Sequence, residues 1–323
     1  MSLDPQLLAR LGPLQVRARK VVEGVLAGLH RSPHHGQSVE FSEHKEYAPG
    51  DEIKHIDWRA FAKLDKYYVK RFEMESNLRA LLVVDGSGSM AYGRGAMTKL
   101  EYAAVISGAL AVLLSRQGDQ VGLLIAGAPE AGGEPLPAGV RSFLPFGTSP
   151  AHVQELLRRL DAARGTGPTT LAGALEFAAE KAGRRALVVC CSDLFDSSEP
   201  SEPSEPAGAG QGGGGPAGAQ GSVAALKRLR ARRHDVLALQ TLDREELDFP
   251  FDDPTRFVSL EGPEQIDAQP RQIRDSYLAE LGRFLEETRS ELRRSDTEHA
   301  LLPTDAPPDR ALLQLLKKRE EGR

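Results

Sequence analysis

From Ala80 onward the chain alternates short, unbroken apolar runs with longer stretches whose apolar residues recur every three or four positions. Unbroken runs suit strands buried on both faces of a parallel sheet, and the periodic stretches suit helices that cover those faces. Residues 81–84 are therefore expected to form the first strand, residues 100–115 a helix apolar on nearly every side, and residues 121–125 the second strand. Residues 140–144 read as a short edge strand, reached through the Gly/Pro/Ala-rich connection over 127–139. Two helices, over 150–161 and 171–181, lead to a strand over 186–191. A helix over 223–232 precedes a strand at 236–239, and residues 256–260 are expected to close the sheet. This order predicts an α/β domain over 77–262, doubly wound, with a mostly parallel sheet flanked by helices. Ligands of such sheets sit at the carboxyl ends of the strands.

The flanks follow other patterns. The N-terminal segment, 1–76, opens with a helix-like stretch over 14–29 and continues into turn-rich sequence over 32–51. In the C-terminal segment, 263–323, Ile273, Tyr277, Leu281, Phe284 and Leu285 form one amphipathic stripe, and Leu312, Leu313 and Leu316 another. Both predict helices docked on the domain or on a partner. A Ser-Glu-Pro repeat and a Gly/Ala/Gln tract over 197–221 are too poor in large apolar groups to pack, and are expected to be a disordered insertion.

Composition narrows the function classes. A formal charge of -5 over 323 residues gives no global electrostatic footprint for nucleic acid or anionic lipid. The two cysteines, Cys190 and Cys191, are neighbours on a predicted strand and point to opposite faces, so a disulfide between them is not expected. That favours a reducing compartment. The longest apolar stretch, 103–114, is too short to span a membrane, and the N-terminus lacks the basic-then-apolar pattern of a secretory leader. A cytoplasmic protein is the expectation. Five histidines, His30, His34, His35, His44 and His55, fall in the N-terminal segment. Their spacing lacks a helical pair or accompanying cysteines, so solvated or core histidines are the simpler reading.

The chemistry concentrates at the carboxyl ends of the predicted strands. The first strand runs directly into Asp85-Gly86-Ser87-Gly88-Ser89-Met90, which sets a carboxylate and two hydroxyls at alternate positions, with glycines that permit a tight loop. Thr169 lies in a loop before a helix, and Asp193 follows another apolar strand. Two carboxylates and three hydroxyls on one rim suit a hard divalent ion, Mg2+ foremost and Mn2+ or Ca2+ as alternatives, with a position left for an incoming oxygen. Taken singly, the serines would read as helix caps and Asp193 as a turn residue. Gly86, Gly88, Met90 and Thr170, beside these ligands, are the candidates for partner contact.

Asp85-x-Ser-x-Ser, Thr169 and Asp193 resemble the metal-ion-dependent adhesion site (MIDAS) of von Willebrand factor A domains. The segments 36–41, 46–51, Ile56-Asp57-Trp58-Arg59 and 85–90 are similar to the pattern of domain-of-unknown-function family 58 (DUF58), and the likeness extends to Tyr277 and Thr304-Asp305-Ala306-Pro307. It departs at Lys54-His55, where an arginine is usual, at Pro168 in place of a glycine, and in the long insertion. The resemblance implies a von Willebrand factor A-like, Rossmann-type fold in which the serines and threonine coordinate the ion and the aspartates bind it directly or through water. It also implies an adaptor role beside a MoxR-type AAA+ ATPase. Read from the residues alone, 49–51 is a turn, Asp57 and Arg59 read as a solvated pair, and Trp58 reads as a packing anchor.

Other functions fit less well. Gly86-x-Gly88-x-x-Ala91 after a strand fits a dinucleotide fingerprint, but Asp85 would repel a pyrophosphate and the next strand ends in 126–129 without a ribose-binding acid. A phosphatase of the haloacid dehalogenase type would need a second Asp as general acid where Ser87 stands. It remains the enzyme-class alternative. No phosphate-binding Gly-x4-Gly-Lys-Ser/Thr loop is present. Nucleic-acid binding through Arg17, Arg19, Lys20, Lys63, Lys66, Lys70 and Arg71 is offset by the interleaved acids Glu43, Glu46, Asp51, Glu52 and Asp57.

Overall fold

The structure, a computed structural model, describes residues 3–9, 12–30, 45–46, 68–69, 78–128, 136–195 and 221–321. Much of the N-terminal segment, with His34, His35, His44 and His55 and the 36–41 and Ile56–Arg59 motifs, lies outside these residues, as does the insertion except for Gly221.

Among the described residues, besides a two-residue antiparallel pair of Lys45–Glu46 with Tyr68–Val69, the strands are β1 (Arg79–Asp85), β2 (Gln120–Ala126), β3 (Val140–Gly147), β4 (Leu187–Ser192), β5 (Asp235–Leu242), β6 (Thr255–Val258), β7 (Gln265–Ala268) and β8 (Glu298–Pro303). Six of them form one sheet in the order β8-β5-β4-β1-β2-β3, parallel throughout except for the antiparallel edge pair β2 and β3. The helices are α1 (Pro5–Ala9), α2 (Leu14–His30), α3 (Lys99–Arg116), α4 (Pro150–Ala162), α5 (Leu171–Lys181), α6 (Ser222–Ala231), α7 (Arg244–Asp248), α8 (Pro270–Arg294) and α9 (Pro308–Glu321). The fold is thus the expected α/β class, with a mostly parallel sheet flanked by helices.

Strand alternation divides the core into two layers. Ala80, Leu82 and Val84 of β1 pack with α2, α3, α4 and α9, whereas Leu81 and Val83 face α5, α6 and Leu292 of α8. Cys190 and Cys191 fall in different layers, as their adjacency on a strand requires. Helix α3 is apolar all round because it lies between the sheet and a second shell of helices. A Cβ at its Gly108 would come within 2.8 Å of Leu157 Cδ2 and 3.4 Å of Ala18 Cβ. A capping box between Thr98 and Glu101 starts α3.

One strand assignment is corrected. Residues 256–260 do not close the sheet: Thr255–Val258 pairs antiparallel with Gln265–Ala268 in a separate hairpin. The closing strand is β8, parallel to β5, which carries the sheet past the boundary expected at residue 262. The alternation around Val258 and Ile266 reflects a hairpin in which these two residues are 61% and 67% exposed while Phe257 packs against Phe249 and Phe251, not a strand of the main sheet. The polar start Glu298-His299 conceals β8 from a search for unbroken apolar runs. The two amphipathic stripes of the C-terminal segment are helical as expected. Helix α8 packs on α6 and β8, and α9 on α2 and α3.

From β1 the chain proceeds to β2 and β3 on one side, and β4 then returns to the other side of β1 and leads on to β5. The reversal of direction lies between β1 and β4. A crevice opens outside the carboxyl ends of strands at such a point, and Asp85 and Asp193 stand there.

Candidate metal centre

Asp85 is the last residue of β1, and both of its carboxylate oxygens accept hydrogen bonds: Oδ1 from the Ser87 amide at 3.0 Å and Oδ2 from Ser192 Oγ at 2.6 Å. The Ser87 and Ser89 hydroxyls lie 3.1 Å apart. A short 3-10 turn over Ser89–Ala91 then carries the chain away from the strand end. Glycine permits close packing in the loop, since a Cβ at Gly86 would come within 2.7 Å of the Ala126 carbonyl.

The Thr169 loop is bonded directly to this one. Gly88 N donates to Gly167 O at 2.8 Å and Thr166 N to Gly86 O at 3.0 Å. Arg141 braces the same loop by donating to Arg164 O and, at 2.8 Å, to Thr166 O. Asp193 follows β4, and its Oδ1 accepts from the Phe195 amide at 3.0 Å. Its own carbonyl accepts from Gln240 Nε2 at 2.9 Å. Three separate connections therefore bring the predicted ligands to one end of the sheet.

Depth distinguishes these residues. Asp85, Ser87 and Asp193 are fully buried, whereas Ser89 and Thr169 are half-buried and form the outer edge. The aspartates thus lie beneath the rim. Met90 is also fully buried within the core, which corrects its place among the partner-contact candidates. Gly86 and Gly88 are buried too, and Thr170 is half-buried at the start of α5.

Three charged residues and one hydroxyl complete the site beyond those read from sequence. Lys99, fully buried, donates to Asp193 Oδ2 at 2.8 Å and to Glu246 Oε1 at 2.7 Å. Burial alone would lower its pKa, but the two carboxylates outweigh that and hold it above its ordinary value. Glu261, in the turn between β6 and β7, accepts from Thr169 N at 2.9 Å, from Thr169 Oγ1 at 2.7 Å and from Ser89 N at 3.2 Å. Burial opposes its ionisation, yet the bonds from Thr169 and Ser89 hold it below its ordinary value. Ser192 is the hydroxyl that fixes Asp85.

The donor set fits a hard divalent ion. Burial, and then the Asp193 carboxylate, push Asp85 up to about 6 against the bonds from Ser192 and Ser87. A buried carboxylate whose ionisation is opposed by its burial and by a neighbouring carboxylate makes a setting that a cation relieves, and the neighbouring hydroxyls are hard oxygen donors. Among the described residues no three His, Cys, Asp or Glu side chains gather into a metal cage by themselves. Any ion here relies on Ser87, Ser89 and Thr169.

Among the basic residues weighed for nucleic acid, Arg17 pairs with Asp161 at 3.3 Å and Lys20 with Glu23 at 2.9 Å, while 63, 66, 70 and 71 lie outside the described residues. No helix is long and apolar enough to cross a membrane among the described residues.

Comparison with known proteins places this geometry in context. The family described as protein of unknown function DUF58 matches residues 43–284. Uncharacterized proteins of Mycobacterium bovis and Mycobacterium tuberculosis are each 27% identical over 253 residues, covering 76% of this chain and 68% of theirs. Among solved structures, the conserved hypothetical protein BatB from Bacteroides thetaiotaomicron is similar with a TM-score of 0.40 and 14% identity, over 76% of this chain and 99% of that one. An aerotolerance-related membrane protein from Bacteroides fragilis is similar with a TM-score of 0.43 and 16% identity, over 75% and 99%.

Proposed function

The chain belongs to the DUF58 family, and from that premise we propose that it is a non-enzymatic, metal-dependent protein-binding adaptor with a MIDAS-like site of the von Willebrand factor A type. The observation that carries this reading is the convergence of Asp85, Ser87, Ser89, Thr169 and Asp193 from three connections at the reversal point of the sheet. These five residues would hold the ion, with Mg2+ first and Mn2+ or Ca2+ as alternatives. When bound, the ion supplies a positive centre that attracts an acidic side chain of a partner.

The protein's own residues set the terms of that contact. Ser192 and the Ser87 amide fix both oxygens of Asp85, and Lys99 and the Phe195 amide fix Asp193. The half-buried Ser89 and Thr169 then face outward as neutral groups. The partner proposed is a MoxR-type AAA+ ATPase that presents a Glu or Asp to the rim, in a cytoplasmic setting.

The phosphatase alternative asks Asp85 to act as a nucleophile. A fully buried carboxylate with both oxygens accepting hydrogen bonds is poorly placed to attack a phosphate ester.

Affinity for the ATPase, measured in Mg2+ and in chelator with wild type and Thr169→Ala, tests the adaptor reading. Binding is expected to require Mg2+ and to weaken in the variant. Full binding in chelator by the folded protein would overturn it, and so would steady Mg2+-dependent turnover of p-nitrophenyl phosphate.

A further inference from the structure

Glu261 does not follow from the metal site as read from sequence. It arrives on a hairpin that belongs to no other sheet among the described residues, since β6 and β7 pair only with each other. Its carboxylate accepts the outward-facing donors of the rim: Thr169 N, Thr169 Oγ1 and Ser89 N. These belong to the two ligand residues that are half-buried rather than buried.

The seat for the turn is built into the ligand loop. A Cβ at Gly88 would lie 1.9 Å from the Leu260 carbonyl oxygen and 3.2 Å from Glu261 Cγ. Gly88 has φ -60, ψ -39, a helical conformation open to any residue. Backbone conformation does not call for glycine here, whereas the approach of the 259–262 turn does. The turn is also shaped in advance, because Ser259 Oγ accepts from the amides of Glu261 at 3.2 Å and Gly262 at 3.1 Å.

We infer that Glu261 is an internal stand-in for the partner's acidic residue, seated on the outward face of the rim and displaced when an external carboxylate binds. The inference rests on the metal-dependent reading above. Moving the hairpin leaves every ladder of the six-stranded sheet intact. Its outer surface carries Val258, Leu260 and Ile266, which are 61%, 49% and 67% exposed, so apolar contacts with an arriving partner lie next to the acid to be displaced.

The test is Mg2+ titration by calorimetry with and without acetate, on the full chain, for wild type, Glu261→Ala, Glu261→Gln and Gly88→Ala. Circular dichroism confirms that each variant is folded. Acetate serves as the smallest external carboxylate. In wild type, acetate is expected to leave Mg2+ affinity unchanged, because Glu261 already holds the position. In Glu261→Ala, Glu261→Gln and Gly88→Ala, acetate should strengthen Mg2+ binding by about tenfold, since coupling between two ligands is reciprocal. Mg2+ binding that is equally blind to acetate in all four proteins would overturn this inference and leave the metal reading standing. Absence of Mg2+ binding in all four, with or without acetate, would overturn the metal reading and this inference with it.

Discussion

Lys99→Met removes the buried cation held between Asp193 and Glu246 while keeping a stem of similar length. Lys99 and Asp193 are both 0% exposed, and the two carboxylates accept from Lys99 at 2.8 and 2.7 Å. Removing one member of a buried ion pair costs about 3–5 kcal/mol, because the remaining charges stay buried without a counterion. A domain of about 150–250 residues loses about 2–4 °C of melting temperature per kcal/mol, and a chain of this size takes the lower figure, so the expected fall is about 6–10 °C in chelator. On the proposed reading, bound Mg2+ becomes the main positive charge near Asp193 in the variant. The rise in melting temperature on adding Mg2+ should therefore exceed that of wild type at the same concentration. Far-UV circular dichroism melts in chelator and in saturating Mg2+ measure both quantities. A fall of less than about 2 °C in chelator would refute the buried-pair argument. A large fall with a Mg2+ gain no greater than wild type would refute the electrostatic coupling between Lys99 and the ion.

Other outcomes follow from single features of the site and fold. Asp85→Asn should lose Mg2+ binding in calorimetry while melting in chelator at or above the wild-type temperature, since it ends the repulsion between two buried carboxylates. Ser192→Ala, which frees Asp85 Oδ2, should weaken Mg2+ binding by about 10–100-fold, and unchanged affinity would show that Asp85 needs no orienting partner. Deleting residues 198–220 should leave the melting temperature within about 2 °C, because their composition is too poor in large apolar groups to predict packing, and a change in the length of an unpacked connection alters little beyond closure entropy. Burial first, and then Arg289 and Lys318, hold His299 down to about 4 from 6.5, so the unfolded chain takes up the proton first and stability falls as pH drops from 6.5 toward 4. With allowance for its partial exposure this amounts to about 1–2 kcal/mol, measured as the difference between wild type and His299→Gln in urea unfolding across that range.

The parts of this molecule that were legible in the sequence are those governed by local pattern. Strands β1, β2, β4 and β5 are buried on both faces, so their apolar runs mark them to within a few residues, and their carboxyl ends locate Asp85 and Asp193. Strand β8 escapes a search for apolar runs because an edge strand tolerates Glu298 and His299, and residues 256–260 resemble a closing strand because a hairpin with one packed and one exposed face alternates as a half-buried strand does. Met90 lay within a loop of ligands but turns into the core. Lys99 did leave a trace, since a basic side chain in the first turn of a helix opposes the helix dipole and calls for a specific acidic partner. Glu261 left none. It lies 172 positions from Ser89, in a turn whose composition says nothing about where it docks.

The placement of charge around the rim links affinity to movement of the hairpin. The negative side chains Asp85 and Asp193 are buried and tied to Ser192, Lys99 and backbone amides, whereas the outward groups Ser89 and Thr169 are neutral. On the proposed reading, an approaching acid therefore meets hydroxyls and amides before it meets carboxylates. With Glu261 seated, those donors are already taken. Hydrogen bonds to a charged group contribute about 1.5–3 kcal/mol each, so even two at the lower figure favour the seated state by about a hundredfold. The apparent affinity of an external acid is reduced by that same factor, because it binds only the fraction of molecules in which the turn has lifted. A partner that also covers Val258, Leu260 and Ile266 would regain part of that factor by drawing the hairpin away, whereas a bare carboxylate would not. Selectivity for a protein over a small acid would then reside in the hairpin rather than in the ion, which binds both by the same oxygen.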